Sequence, residues 1–237
     1  MPGLAKVFDN VIEKELQMKA AWFPITNDLK VGDFGLIEDG IFRPMGNIQN
    51  RYPDIKLDVQ LGRESKVDFT SEGTSLLKFD ADGEAVAALE ALGNLKASLK
   101  FQFSRTNSCV IKAILTSQEL KNIADVTDEL YKKATWKRNY KVVSKIFIGQ
   151  EAVVICTREA GAEYEISGSA DILSEIEKGG KVKAGVSGNF SRKSGLGVVG
   201  ETGVLAIELF KVGNRFFDDK NSGATYEIIA GELEDDL

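Results

Sequence analysis

Residues 94 to 104, NLKASLKFQFS, alternate apolar and polar side chains without interruption. The apolar positions are Leu95, Ala97, Leu99, Phe101 and Phe103. Successive side chains of a strand point to opposite faces, so this pattern predicts a strand with one apolar face and one wet face. Such a strand fits a half-exposed sheet, and it also fits a position between lipid and water. Its length matches the ~9–11 residues that a tilted strand needs to cross a bilayer.

A second stretch, KVKAGVSGNF at 181–190, shows the same period with a more polar composition. Its apolar positions are Val182, Ala184, Val186 and Phe190. Two lysines and two glycines make it a poor core strand. We interpret it either as the edge of a soluble sheet or as a second strand suited to face lipid on one side and water on the other.

The rest of the chain predicts an α+β fold: a single domain with a twisted, mostly antiparallel sheet, an N-terminal amphipathic helix and a few further helices. Apolar residues at helical spacing place the first helix at 4–16. Thr116 and Glu119 form a capping-box pattern that predicts the start of another helix. The segments 141–148 and 151–157 predict two successive strands joined by a tight turn.

The residue types present exclude several chemistries. The chain has no histidine, which excludes a Ser-His-Asp triad and an imidazole zinc site. The carboxylates and lysines form no convincing catalytic cluster, so we expect neither an enzyme nor a bound metal or cofactor. We expect Cys109 and Cys156 to be buried thiols in a reducing cytosol, with a regulatory disulfide as the alternative. The N-terminus has no signal-peptide pattern, and no apolar run approaches the ~20 residues of a membrane-spanning helix.

The acidic charge is concentrated at the C-terminus. Residues 218–237 contain seven acids and one base, which accounts for the whole net charge of −6. A balanced body with an acidic end does not favour nucleic-acid binding. The tail is either a solvated segment or an acidic cover, and the apolar residues able to dock it are Tyr226, Ile228 and Ile229.

GLGVVG at 195–200 matches the glycine spacing of a dinucleotide-binding loop. That fingerprint requires a buried strand before it and a helix after it, whereas here a polar stretch precedes and a β-prone run follows. We therefore predict a glycine-rich strand turn.

Several stretches together resemble the pore-forming domain of the gasdermins. The matching segments are LAKVFDNVIEKEL, IFRP, NSCVIKAILTSQELKNI, NYKVVSKIFIGQEAVVICTREAGAEYEIS and GNFSRKSGLGVVGETGVLAIELFKV. The resemblance covers nearly all of 4–212 and is closer to the compact bacterial and fungal members, which lack the large C-terminal inhibitory domain of the animal proteins. It implies a pore-forming domain at 1–212 and a short acidic tail at 213–237 that acts as an autoinhibitory segment.

The resemblance also implies a mechanism. Gasdermins are autoinhibited until released; they then bind acidic lipids, oligomerise and refold two regions into four amphipathic strands per protomer, which build a β-barrel. Here the first region is 65–104 and the second is 140–193. The residues that match the family's lipid-contacting surface are Lys6, Lys14, Arg43, Arg192 and Lys193, and the apolar positions of the two alternating stretches become the membrane-inserting strands.

The resulting hypothesis is a cell-death or defence effector that is cytoplasmic when inactive and lies at the cell membrane when assembled. Its partners would be acidic membrane lipids, further copies of the chain, and an activating protease or partner protein. The alternative hypothesis is a soluble α+β binding or scaffold module that shares the fold without membrane insertion.

Overall fold

The structure is a computed structural model that describes residues 3–182, 185–213 and 225–229. The helices are α1 (Leu4–Leu16), α2 (Ile48–Arg51), α3 (Ile123–Tyr131) and α4 (Ala170–Glu177), with a 3-10 helix at Glu90–Leu92. The first strands are β1 (Lys19–Ala20), β2 (Asp33–Glu38), β3 (Ile41–Asn47), β4 (Val59–Leu61), β5 (Ser65–Thr70) and β6 (Thr74–Phe79). The later strands are β7 (Lys96–Phe103), β8 (Ser108–Leu120), β9 (Lys141–Thr157), β10 (Ala162–Ser169), β11 (Ser187–Arg192), β12 (Leu196–Gly213) and β13 (Thr225–Ile229).

The predicted fold class is confirmed: the chain is α+β, its strand pairings are mostly antiparallel, and it begins with an amphipathic helix. The chain divides into two compact units, each made of three segments. Unit 1 comprises 1–11, 64–115 and 149–203, and unit 2 comprises 12–63, 116–148 and 204–237. The strands β8, β9 and β12 contribute residues to both units, so the division does not follow the order of the chain.

Unit 1 contains a four-stranded sheet in the order β11-β10-β7-β6, with every neighbouring pair antiparallel. The strand β5 pairs antiparallel with β8, from Ser65 opposite Leu115 to Thr70 opposite Val110. The apolar side chains of β7, β10 and α4 form the core of this unit.

Unit 2 has its own apolar core, to which β2, β9 and β12 contribute. β2 pairs antiparallel with both β3 and β9. Three aromatic rings lie together in this core: the ring centroids of Phe34 and Trp136 are 5.4 Å apart, and those of Trp136 and Tyr140 are 5.3 Å apart. Edge-on contacts between aromatic rings stabilise a core by more than the burial of their apolar area alone would.

Two sequence predictions about secondary structure are wrong. The helix predicted from Thr116 and Glu119 is instead the end of β8, because β4 pairs with this segment from Leu61 opposite Gln118 to Val59 opposite Leu120. The helix α3 begins only at Ile123. The two strands predicted at 141–148 and 151–157 form one continuous strand, β9. Where the turn was expected, Glu151 adopts a positive φ of 43°, but β9 continues through this residue.

Candidate functional site

The candidate site is the four-stranded sheet of unit 1, where the two regions predicted to change structure meet. β7 comes from the first region, 65–104, and β10 comes from the second, 140–193. These strands pair over eight residues, from Phe103 opposite Ala162 to Lys96 opposite Ser169. The structure therefore brings β6 and β7 of the first region and β10 and β11 of the second into one hydrogen-bonded sheet, while β5 and β9 belong to the other sheet.

One face of this sheet is apolar and covered. Ala97, Leu99, Phe101 and Phe103 alternate along β7 and are all buried, as the sequence pattern predicts. The helix α4 packs against β7 and β10. The other buried members of this apolar cluster on β10 and α4 are Ala162, Tyr164, Ile166, Ala170, Leu173 and Ile176. In this state the predicted membrane-inserting side chains of β7 form a protein core.

Leu95, the fifth apolar residue of the alternating stretch, lies just before β7. Its side chain is 64% exposed. Its carbonyl accepts a hydrogen bond from the backbone N–H of Ala170 at 2.9 Å, and the carbonyl of Gly93 accepts one from Asp171 at 3.0 Å. The N-terminus of α4 is thus bound to the backbone that leads into β7.

The opposite face of the sheet carries charged and polar side chains. The ammonium of Lys100 lies 3.8 Å from the carboxylate of Glu165 on the neighbouring strand. Glu163 accepts a hydrogen bond from the Gln102 amide at 3.3 Å and lies 3.8 Å from the guanidinium of Arg192. Charge pairs therefore link β7, β10 and β11 on this face. The strand β6 departs from the pattern, since Lys78 lies opposite Leu99 and Leu77 lies opposite Lys100.

Among the described residues of the second alternating stretch, 181–182 and 185–190, only the last part is a strand. β11 begins at Ser187. Val182 is buried, and its N–H donates to the carbonyl of Glu151 at 2.9 Å. Val186 and Phe190 are half-buried against the same apolar cluster, whereas Ala184 lies outside the described residues.

The glycines of the second stretch and of GLGVVG make room for one buried tyrosine. The ring of Tyr164 lies edge-on to Phe190, with centroids 4.9 Å apart. A Cβ on Gly188 would lie 2.4 Å from the Tyr164 hydroxyl, and one on Gly197 would lie 2.2 Å from the ring. Burial raises the pKa of the Tyr164 phenol. The predicted strand turn lies mostly before the glycine motif: β11 ends at Arg192, and the strand β12 begins at Leu196 and contains the rest of the motif.

The predicted basic residues lie in several places. Lys6 is half-buried on α1, and Lys14 is exposed on the same helix with its ammonium 3.9 Å from Glu15. Arg43, exposed on β3, lies 4.0 Å from the carboxylate of Glu38.

Arg192 and Lys193 lie next to each other at the end of β11 and are both exposed. Arg192 faces Glu163, as described above, while the Lys193 ammonium donates to the carbonyl of Ala160. Within the described part of unit 1, no hydrogen bond or ion pair joins Lys6 to these two residues. The role of all five residues in lipid binding stays a prediction.

The described part of the tail, β13, pairs with β12 from Ile229 opposite Leu209 to Thr225 opposite Gly213. Tyr226 is 43% exposed and Ile228 is 49% exposed, while Ile229 packs against the core of unit 2. The ring of Tyr226 lies edge-on to that of Phe210, and Lys211 lies 2.9 Å from Glu227. The tail therefore adds an edge strand; its inhibitory role stays a prediction.

The expectation of two free thiols is wrong, since the structure joins Cys109 of β8 to Cys156 of β9 in a disulfide. Both cysteines are fully buried. A distance of 47 residues in the sequence separates them, and only the folding of the intervening chain reveals that their strands are adjacent.

Three lysines that the sequence analysis did not single out converge on the C-terminal end of α4. Lys66 donates to the carbonyl of Lys178. Lys112 donates to the carbonyl of Glu177 at 3.3 Å, and Lys78 to the carboxylate of Glu177 at 2.7 Å. Of the three, only Lys112 leaves a signal in the sequence, as a charged residue inside the apolar run CVIKAIL.

The described residues contain no helix that is long and apolar enough to span a membrane. They also contain no group of three or more Cys, Asp or Glu side chains that could hold a metal ion.

No protein-family model matches the chain, and no curated protein is similar to it. Among solved structures, a bacterial gasdermin from Bradyrhizobium tropiciagri is similar, with a TM-score of 0.37 and 14% sequence identity. The match covers 93% of this chain and 90% of that chain.

Proposed function

We propose that this protein is a gasdermin-like pore former rather than an enzyme. It binds acidic membranes, oligomerises and inserts amphipathic strands that permeabilise the membrane. The observation that carries the proposal is the pairing of β7 with β10 in the four-stranded sheet of unit 1, where one strand from each predicted region shares a common apolar face and a common charged face. Because apolar and polar side chains alternate along such strands, one face can contact lipid while the other contacts water.

Two further features support the proposal. Lys100 and Arg192 lie on the charged face and would avoid the lipid, so that each escapes a cost of about 2–4 kcal/mol at the bilayer midplane. Arg192, Lys193 and the other predicted basic residues would attract an anionic surface with about 1 kcal/mol per charge. The proposed protein is cytoplasmic before activation and acts at the cell membrane in cell death or defence.

The first experiment is dye release from vesicles with and without anionic lipid. It compares the full chain with a chain truncated after Val212, each at low and high salt. We expect the truncated chain to release dye from anionic vesicles only, and the release to fall at high salt because salt screens the surface charges. Equal dye release by the full chain would support pore formation and would contradict an inhibitory role of the tail.

A second experiment tests which face of the strand enters the lipid. Asn94 and Leu95 are neighbours, both are exposed, and they have opposite phase in the alternating stretch. Each is replaced by cysteine and labelled with an environment-sensitive fluorophore; the native cysteines are bonded to each other and fully buried.

On anionic vesicles we expect a blue shift, and quenching by lipid-bound quenchers, for the label at 95 but not for the label at 94. A soluble binding or scaffold module would leave both labels in water and release no dye. That outcome would refute the proposed function.

A further inference from the structure

We infer that the lysines Lys66, Lys78 and Lys112 form a latch, named here the α4 latch, that closes the apolar face of the four-stranded sheet until the membrane displaces α4. The inference rests on the proposed function and names how the same sheet is regulated.

The last carbonyls of a helix have no partner inside the helix and must be satisfied from outside. In α4, the N–H of Gly179 donates to Ile176 at 3.0 Å and the N–H of Gly180 donates to Glu175 at 2.7 Å. These two bonds form a Schellman motif, and Gly179 adopts the positive φ of 69° that it requires. The carbonyls of Glu177 and Lys178 remain, and the structure satisfies both with lysine ammonium groups.

Those ammonium groups belong to other strands. Lys66 on β5 donates to the carbonyl of Lys178, and Lys112 on β8 donates to that of Glu177. Positive charge at a helix C-terminus is also favoured by the helix dipole. The end of α4 is therefore completed by side chains of β5 and β8, two strands outside the four-stranded sheet.

Further charges strengthen the contact. Lys112 is only 7% exposed on its side chain and lies 2.5 Å from the carboxylate of Asp68, its partner across β5 and β8. Lys78 on β6 binds the carboxylate of Glu177, and the ammonium of Lys178 lies 2.8 Å from Glu90. The Lys178 ammonium lowers the pKa of the Glu90 carboxyl. A Cβ on Gly179 would lie 2.7 Å from the Lys66 side chain, which shows that Lys66 packs closely against the backbone of Gly179.

The position of the latch gives it a role. α4 belongs to the second predicted region, whereas Lys66 and Lys78 belong to the first. Neither region can leave the closed arrangement without breaking bonds to the other. Loss of the partly buried Lys78 bond should raise the opening equilibrium of α4 by about 10-fold, and loss of the exposed Lys66 bond should raise it by about 2- to 5-fold.

The test measures α4 opening without any membrane. In the full chain, Lys66→Met and Lys78→Met each remove one latch bond and leave the buried Lys112–Asp68 pair intact. Lys133→Met is the control, since it removes an ion pair with Asp54 in unit 2, and the Lys133 side chain is about as exposed as that of Lys78. Hydrogen exchange of 170–180 is compared with the free energy of global unfolding for each variant. We expect exchange to accelerate about 10-fold in Lys78→Met and about 2- to 5-fold in Lys66→Met, beyond any change in global stability, and to stay unchanged in Lys133→Met.

The same variants are then added to vesicles of increasing anionic-lipid content. A lower lipid threshold for dye release in Lys66→Met and Lys78→Met, but not in Lys133→Met, supports the latch. Unchanged exchange in the latch variants overturns it, and so does faster exchange with the threshold of the wild type. Faster exchange with no release from any chain, the truncated one included, refutes the pore function while the contact itself stands.

Discussion

The buried ring of Tyr164 predicts a specific energetic penalty at Gly197. A Cβ at residue 197 would lie 2.2 to 2.6 Å from three ring and hydroxyl atoms of Tyr164, whereas contacting carbon atoms prefer about 3.5–4.0 Å. The ring would have to move by about 1 Å, but it is fully packed and edge-on to Phe190. Overpacking of this kind costs about 1–3 kcal/mol, and alanine recovers about 0.5–1 kcal/mol over glycine in a strand. Gly197→Ala should therefore destabilise unit 1 by about 1–2 kcal/mol.

A double-mutant cycle separates this overlap from any other effect. In a Tyr164→Ala background the ring is absent, so Gly197→Ala should become neutral or stabilising by up to about 1 kcal/mol. The assay is urea unfolding of the four proteins; each kcal/mol should also shift the Tm by about 2–4 °C for a chain of this size. The explanation of the glycine motif would be refuted if Gly197→Ala were harmless in the wild type, or if its cost were the same without the ring.

Three further predictions concern the core, the disulfide and pH. Leu99→Ala removes a fully buried side chain of β7 and should cost about 2–5 kcal/mol in urea unfolding; a cost near zero would contradict the packing of the closed sheet. Reduction of the Cys109–Cys156 disulfide, which spans 47 residues, should lower the free energy of unfolding by about 4 kcal/mol through loop-closure entropy, and identical unfolding with and without reductant would contradict the pairing. The hydrogen bond from Lys121 lowers the pKa of Glu119 below its ordinary value of 4.5, so its stabilising contribution is present above pH 4.5 and is lost as the pH falls through the folded pKa. Glu119→Gln should thus lower the Tm at pH 7 and lower it progressively less as the pH falls below 4.5, and an equal loss at every pH would argue against this ion pair.

The sequence predicts best where structure follows from a local period. The alternation in β7 and the helical stripe of α1 each specify an element and its buried face, because the two periods differ and each runs without interruption. The capping-box pattern at Thr116 failed because the pairing of β4 with β8 satisfies the same backbone groups in a strand. Local propensity is a weak prior when a neighbouring strand offers the alternative partner.

The candidate site is less accessible to sequence reasoning, since its parts meet only after folding. Lys66, Lys78 and Lys112 come from three different strands, and nothing in their local context indicates that they end on one helix. The pairing of β7 with β10, which joins the two predicted regions, depends on a register that the sequence pattern alone does not specify. Likewise, the need for glycine at residue 197 is evident only from the folded structure, where the Tyr164 ring leaves no room for a Cβ.

The energetics of the closed sheet indicate which contacts can control its opening. Leu99, Phe101 and Phe103 are fully buried, and exposing the three to water would cost about 4–9 kcal/mol. In the proposed membrane-inserted state, lipid would offset most of this cost, because the same side chains would face an apolar medium. The apolar contribution would then differ little between the closed sheet and the proposed inserted sheet. The capping bonds of α4 would be absent from the proposed inserted state, so they would contribute in full to the difference between the two states. Substitutions on the apolar face should consequently alter the stability of both states, whereas substitutions in the α4 latch should shift the balance between them.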